Sequence, residues 1–165
     1  MNDIISQFPQ NYRSYGMLAL FVVGVFGIGS AIGIGFMPGA WYEGLTKPWF
    51  NPPNWLFGPA WTVLYICIGI AGWRSFAAEA GGTQSMIWFA QMAFNFIWSP
   101  VMFGMHMLWP AFAVLALMWI GIIAFIAVAW GNGDRVSAYL FMPYLAWVSF
   151  AGLLNVSLAV MNPTS

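Results

Sequence analysis

Charge is what this sequence has least of. Its 165 residues include four basic and four acidic side chains, 5% of the chain, against roughly a quarter in an ordinary soluble domain. Eight charges cannot cover a soluble surface of this size, and 62% of the residues are hydrophobic. Lipid therefore has to solvate most of the exterior. We expect an integral, multi-pass membrane protein, and the sequence leaves open whether a bacterial inner or outer membrane would hold it.

Clusters of chemically active residues are also missing. The net charge is zero and the basic residues stand singly, which excludes an electrostatic surface for nucleic acid. The lone cysteine, Cys67, cannot form an intrachain disulfide, and the lone histidine, His106, has no second ligand nearby in sequence, so no metal site is expected. No hydrolytic triad, phosphate loop or carboxylate pair is available. We expect no required cofactor and no ordinary hydrolytic chemistry.

The long apolar runs contain no Asp, Glu, Lys or Arg at central depth. Ionisable groups inside a membrane are costly and usually mark proton or ion pathways. A proton-coupled antiporter or a pump that works through charged residues is therefore disfavoured.

Five continuous apolar runs are each long enough to cross a bilayer, which takes about 20 residues as helix. Barrel strands would instead show short alternating segments. The predicted spans are residues 16–36, 57–76, 84–104, 109–130 and 136–160. They form one transmembrane domain, 14–160, between a polar N-terminal segment, 1–13, and a short tail, 161–165. The predicted fold class is an all-α membrane protein, a five-transmembrane-helix bundle with a structured first loop.

The first loop, 37–56, is the longest connection. Proline lacks an amide donor and disfavours helix in the preceding residue, so the Lys-Pro and Asn-Pro-Pro steps at 47–48 and 51–53 should be extended or turned. Arg13, Arg74 and Arg135 fall on the N-terminal side of the predicted topology and Lys47 on the other, which favours a cytoplasmic N terminus.

Small residues recur on two predicted helices. Gly29 and Gly33 in the first span show the spacing that lets helix backbones approach closely, and Ala90 and Ala93 give the third span a similar face. Such faces pack helices within a chain or between chains. We predict helix packing through these four residues, and a homodimer.

Tryptophan is unusually abundant, with eleven copies. Interfacial belts explain those near span ends, but several lie deeper. Trp61 and Tyr65 are four residues apart and Asn95 and Trp98 three apart, so each pair shares a helix face. Aromatic faces with a few polar groups suit a large, flat, apolar ligand. Aromatic core packing explains the same pattern and stays open.

Longer motifs make the sequence recognisable. Residues 41–55, WYEGLTKPWFNPPNW, and 57–65, FGPAWTVLY, resemble the characteristic segments of the translocator protein family, also called tryptophan-rich sensory proteins. Residues 93–104, AFNFIWSPVMFG, resemble that family's third-helix motif. Residues 143–147, PYLAW, with Leu154 and Asn155, resemble its fifth. The resemblance covers about residues 16–158.

The resemblance implies a five-helix bundle, commonly a homodimer, that binds tetrapyrroles such as protoporphyrin IX and haem, and also sterols and synthetic benzodiazepine-type ligands. The pocket is expected beneath the first loop. The ligand-binding residues carried over by motif are Trp41, Trp61, Tyr65, Asn95, Trp98 and Trp147. Trp41 would belong to the lid with the loop residues Lys47, Pro48, Pro52 and Pro53. The chain has no basic residue after Arg135, so the family's proposed sterol motif is incomplete.

Three functions follow as hypotheses. The first is a porphyrin-binding membrane protein with a transport or sensing role in tetrapyrrole metabolism or stress response. The second is enzymatic: the resemblance implies light-dependent oxidative breakdown of the porphyrin, with Trp61 as the redox-active residue. The third is a helical assembly factor without a small ligand.

Overall fold

The computed structural model describes residues 12–163, with side chains from residue 15 onward. Within these residues the helices are α1 Tyr12–Gly35, α2 Ala40–Gly44, α3 Phe57–Ala78, α4 Thr83–Ser99, α5 Leu108–Gly131 and α6 Arg135–Met161. A 3₁₀ turn, Asn54–Leu56, leads into α3, and a π turn, Pro100–Gly104, follows α4. All but the short α2 belong to segments long and apolar enough to cross a membrane. The prediction of an all-α protein with five spans is confirmed.

The helix ends differ from the predicted spans by a few residues. Helix α1 begins at Tyr12, inside the predicted polar segment, and α6 ends at Met161. The rest of the polar segment lies outside the described residues. So does the side chain of Arg13, on which the predicted orientation partly depends.

The π turn after α4 has an identifiable cause. Pro100 has no amide donor, and Met105 and Met107 donate their backbone N–H groups to the carbonyls of Pro100 and Val101 at 2.9 and 3.2 Å. The chain then reverses direction at His106, whose φ is 59°. Helix α5 therefore starts only four residues after the π turn ends.

The spanning helices follow one another around the bundle in the order α1, α3, α6, α5, α4. Helices α1 and α3 approach closely, because a Cβ on Gly69 would lie 2.7 Å from the Cα of Val22. Helices α5 and α6 are joined by Phe125 and Phe141, which are fully buried and stack at 3.9 Å between ring centroids. Helices α1 and α4, by contrast, barely touch. The bundle is therefore loosest on the side where α1 faces α4.

The end of the bundle away from the first loop is closed by a polar network. Asp134 caps α6 by accepting from the Ser137 amide, and it pairs with Arg74 at 2.6 Å. Gln84, at the start of α4, donates to the second Asp134 oxygen at 3.1 Å. Burial raises the pKa of the Asp134 carboxyl, but the hydrogen bonds from Ser137 and Arg74 and the Arg74 charge outweigh it, so this pKa lies below its ordinary value. The network joins α3, α4 and α6.

Candidate functional site

The loosely packed side of the bundle contains a cavity of about 570 Å³ between α1, α3 and α4. Drug-sized and cofactor sites usually measure about 300–1,000 Å³. Six of its 17 lining residues are aromatic, and among the described residues no charged side chain lines it. The aromatic residues of the wall are Phe36, Phe57, Trp61, Tyr65, Trp98 and Phe103.

Two glycines of α1 shape one side of this cavity. A Cβ on Gly29 would lie 2.3 Å from the Tyr65 ring, so only a residue without a side chain leaves room for that ring. A Cβ on Gly33 would meet no atom within 4 Å, although Gly33 also lines the cavity. The first glycine therefore positions an aromatic wall residue, and the second leaves empty volume.

The rings of the wall are held by neighbours on other helices. Trp61 and Tyr65 lie 5.1 Å apart between centroids, and the Tyr144 ring of α6 meets Trp61 edge-on at 6.2 Å. The Trp98 indole donates to Asn155 Oδ1 at 3.3 Å, and the same amide donates to the Leu108 carbonyl at 3.0 Å. Asn155 thus fixes the orientation of Trp98 from behind the wall.

A chain of buried hydrogen bonds ends in the cavity wall at Asn95. The Nε2 of Gln91 donates to the Trp88 carbonyl at 3.0 Å, which leaves its Oε1 as an acceptor. This Oε1 accepts a hydrogen bond from the Tyr144 hydroxyl at 3.0 Å. That hydroxyl has one proton, so its oxygen accepts from Asn95 Nδ2 at 2.7 Å. The polarity of the chain therefore directs the Asn95 amide. Its Oδ1 is left buried, with no hydrogen-bond partner among the described residues.

An unpartnered buried carbonyl costs about 1–3 kcal/mol. Asn95 is only 6% exposed and lines the cavity. Because this oxygen exposes less than 1 Å² of surface, a ligand could donate to it only after the Asn95 side chain turned its Oδ1 toward the cavity. The aromatic side chains of the lining, and the lack of a charged one among the described residues, therefore suit a flat, largely apolar molecule.

The six residues predicted to bind ligand do not all meet in one space. Trp61, Tyr65, Asn95 and Trp98 line the large cavity. Trp147 lies beyond it, in the wall of a second space of only about 20 Å³ that shares Phe57, Trp98 and Phe103 with the first. Trp41 stacks on His106, with centroids 4.3 Å apart and planes 17° apart. Trp147 contacts Phe57, one of the shared residues, edge-on at 5.9 Å between ring centroids, but it is not part of the large cavity's lining.

The middle of the first loop covers the small space, and only the two ends of the loop border the large cavity. Tyr42 is 2% exposed, contacts Phe103 edge-on at 5.5 Å and donates to Asn51 Oδ1 at 2.9 Å. Burial raises the pKa of Tyr42. Lys47 turns back on its own loop, donating to the Glu43 carbonyl at 2.9 Å.

The remaining residues of the predicted lid divide by burial. Pro48 and Pro52 are buried, and Pro53 is exposed. Because the Lys47 ammonium is held by loop carbonyls, its charge supports the loop and does not line the cavity.

The residues predicted to pack helices also divide. Gly29 and Gly33 face α3 and the cavity, whereas Ala90 and Ala93 lie exposed on the outer side of α4, beside Phe89. The outward alanines are open to lipid or to a second copy.

Three contributors to the site were not predicted from sequence. Phe103 reaches the wall through the π turn, Asn155 acts through Trp98, and Tyr144 carries the hydrogen bonds from Asn95 to Gln91. The Ser-Pro step at 99–100 is a signal of an irregular helix end and so of Phe103. The pairing of Asn155 with Trp98 has no signal in one sequence.

A second hollow, of about 590 Å³, lies at the opposite end of the bundle, where Arg74, Gln84 and Asp134 line it. Its polar groups mainly bond one another, as in the network above. Among the described residues no group of three His, Cys, Asp or Glu side chains could hold a metal ion.

Comparison with known proteins adds an independent finding. The model of the TspO/MBR family matches residues 17–161. Protein CrtK of Rhodobacter capsulatus is 40% identical over 137 residues, which cover 81% of this chain and 85% of that protein. The tryptophan-rich sensory protein of Cereibacter sphaeroides is 40% identical over 125 residues, 76% and 78% of the two chains. The human translocator protein is 34% identical over 136 residues, 78% and 80%.

Proposed function

This chain belongs to the TspO/MBR family, and from that premise we propose that its cavity between α1, α3 and α4 binds tetrapyrroles such as protoporphyrin IX and haem. Family membership supports a membrane sensory or translocator role. The observation that carries the proposal is a cavity of about 570 Å³ whose lining includes six aromatic side chains and, among the described residues, no charged one.

The chemistry of the wall suits a tetrapyrrole ring. Aromatic side chains such as Trp61 and Trp98 offer faces and edges for stacking on a flat π system. Because no charged side chain in the described part of the chain lines the cavity, an ionised carboxylate inside it would be poorly solvated. The propionate groups would therefore lie at the rim, near the ends of the first loop, with the ring inside.

Neutral ligands fit the same reasoning. A sterol or a synthetic benzodiazepine-type molecule carries no charge that needs a partner, and the volume accommodates molecules of that size. We include them as further ligands of the same space. Because no basic residue follows Arg135 in the sequence, the cavity, and not a linear sterol motif, is the place where a sterol would bind.

The binding experiment is a titration of purified, detergent-solubilised protein with protoporphyrin IX in the dark, followed by tryptophan quenching. Trp98→Phe should weaken binding, because its indole lines the cavity. Trp119→Phe is the matched control, since Trp119 lies 39% exposed midway along α5, away from the cavity lining. Saturable quenching that depends on Trp98 and not on Trp119 supports the proposal. Linear quenching that neither variant alters would mean that porphyrin only partitions into the micelle.

Trp147→Phe tests whether the ligand extends from the large cavity into the small space that Trp147 lines. If the ligand occupies only the large cavity, this variant should bind within about twofold of wild type. A larger loss would mean that the rings between the two spaces move when ligand binds.

A second candidate function is photooxidative breakdown of the bound porphyrin, favoured by the position of Trp61 in the cavity wall. An excited porphyrin can pass its energy or an electron to dioxygen, the oxidant this reaction requires, and an indole at the ring is readily oxidised. Trp61→Phe should then abolish product formation under illumination and leave binding within a few fold. Equal loss of both would exclude the enzymatic role.

We also propose a homodimer through the outer face of α4. Ala90 and Ala93 are exposed there, and small residues let two helices approach closely. Ala93→Trp should shift cross-linked protein in membranes from dimer to monomer, whereas Met142→Trp, an exposed position on α6, should not. Unchanged cross-linking in the Ala93 variant would rule out this face.

A further inference from the structure

The middle of the first loop is fastened to the end of α6 by one side chain. Asn162 accepts from the Thr46 amide through Oδ1 and donates to the Thr46 carbonyl through Nδ2, both at 2.9 Å. The same Nδ2 also donates to the Leu158 carbonyl at 2.9 Å, which caps α6. The amide of Asn162 therefore pairs with one loop residue as a neighbouring β-strand would, across 116 residues of sequence.

The contact secures a part of the loop that has few other long-range polar bonds. Lys47 bonds to carbonyls at positions 43 and 45, and Tyr42 bonds to Asn51, so these hydrogen bonds stay within the loop. The other long-range contacts of the loop are apolar or stacked: Leu45 is 9% exposed in the cluster that contains Leu158, and Trp41 stacks on His106. Asn162 thus supplies the directional bonds between the loop and the bundle.

Both ends of this loop border the large cavity. Met37 and Pro38, where the loop begins, and Asn54, where it ends, belong to the cavity lining. The middle of the loop also touches the wall, because Tyr42 contacts Phe103. A displacement of Thr46 away from α6 would therefore move the rim of the cavity.

We propose that Asn162 is a positioning residue that holds the first loop closed and sets the rate at which ligand enters and leaves the cavity. The inference rests on the proposed ligand binding. Asn162 is outside the cavity lining, so it acts through Thr46 and the loop, and not by contact with the ligand. Breaking the two hydrogen bonds between Asn162 and Thr46 raises the population of an open conformation, in which the loop lies away from α6.

The expected size of the effect follows from the two bonds. Losing two neutral, partly exposed hydrogen bonds should raise the open population about 5- to 10-fold. While the open form remains a minor state, both the association and the dissociation rate constants rise by that factor, and Kd stays the same within about twofold.

The test compares wild type with Asn162→Ala and Thr46→Pro. The second variant removes the loop amide and leaves the bond from Asn162 to Leu158 intact. Leu45 already has φ −69° and ψ 145°, a conformation that suits the residue before a proline. Asn132→Ala is the matched control, because Asn132 bonds to Gln84 at the other end of the bundle.

Two measurements on full-length protein in nanodiscs separate the possibilities. Stopped-flow tryptophan quenching with protoporphyrin IX gives the two rate constants, and hydrogen exchange without ligand gives the opening of residues 45–47. The proposal is supported if these amides exchange faster and both rate constants rise about 5- to 10-fold in Asn162→Ala and about 2- to 3-fold in Thr46→Pro, which loses one of the two bonds. Asn132→Ala should change neither. Faster amide exchange with unchanged ligand rates would overturn it, because ligand would then enter by another route. A changed Kd at constant association rate would also overturn it. If wild type shows no saturable binding, the proposed function fails and the gating role with it, while the amide exchange still reports whether Asn162 holds the loop.

Discussion

Replacing Asn95 with leucine tests the most specific feature of the cavity. Leucine has nearly the same shape but neither donor nor acceptor. In the free protein the change removes one hydrogen bond to Tyr144, worth about 1 kcal/mol, and also removes a buried carbonyl that has no partner, which costs about 1–3 kcal/mol. These effects oppose each other. The free energy of unfolding should therefore change by no more than about 1–2 kcal/mol.

Ligand binding should respond differently if a bound ligand draws the buried Oδ1 toward the cavity and donates a hydrogen bond to it. Satisfying a buried acceptor is worth about 1–3 kcal/mol, which corresponds to roughly 5- to 150-fold in Kd. Asn95→Leu should weaken protoporphyrin IX binding by a factor in that range. The measurement is a dark titration by tryptophan quenching, with thermal unfolding of the same samples as the check on folding.

A ligand series identifies the donor. The dimethyl ester of protoporphyrin IX lacks the carboxylic acid O–H groups, and its nickel(II) complex also lacks the pyrrole N–H groups. The penalty of Asn95→Leu should disappear at the member of the series that has lost the relevant donor. An equal penalty for all three ligands, or none for protoporphyrin IX, would refute the argument from the unpartnered Oδ1.

Other predictions concern the cavity volume and the polar network. Gly33→Leu should fill part of the empty volume and weaken porphyrin binding at least tenfold. Gly27→Leu should not, because Gly27 lies on the same helix outside the cavity lining, and a Cβ there would also meet no atom within 4 Å. Equal titration curves for the two variants would contradict this prediction. Arg74→Met leaves the half-buried Asp134 carboxylate without its ion pair and should lower the free energy of unfolding by about 3 kcal/mol. Thermal unfolding in detergent measures this change. An unchanged midpoint would show that the ion pair contributes little to stability. Asp134→Asn keeps a capping side chain and removes the charge. Because the pKa of Asp134 is lowered in the folded protein, its stabilising effect is present above the ordinary value near about 4 and is lost as pH falls through the lower folded value. Wild type should then lose its advantage over this variant below about pH 4, and a constant difference down to pH 3 would contradict the assigned shift.

Much of the architecture could be predicted because the bilayer imposes simple rules. The shortage of charge required lipid as solvent, and uninterrupted apolar runs of about 20 residues required helices whose backbone groups bond within the segment. The Gly-Asn-Gly-Asp turn between α5 and α6 and the prolines of the first loop marked connections for equally local reasons. The family resemblance, independent of those rules, agrees with the relatives found for the chain.

The site was harder to predict because it depends on contacts between distant segments. Helical spacing placed Trp61 with Tyr65 and Asn95 with Trp98, and all four line one cavity. Periodicity says nothing about Trp147, which belongs to another helix and lines a different, smaller space once the bundle has packed. The spacing of Gly29 and Gly33 was also uninformative about their different surroundings, since one meets the Tyr65 ring and the other meets open space.

Composition and local spacing thus determined, without any structure, that the chain crosses a membrane five times as helix, carries a structured first loop and presents aromatic faces. These properties depend on neighbouring residues and on the solvent. Tertiary structure alone decided that α1 and α4 leave a cavity between them, that Asn95 ends a hydrogen-bond chain with an unpartnered acceptor, and that Asn162 fastens a loop 116 residues away. Those features depend on side chains from separate helices meeting at hydrogen-bond and van der Waals distances, and such distances are set only when the whole bundle has packed.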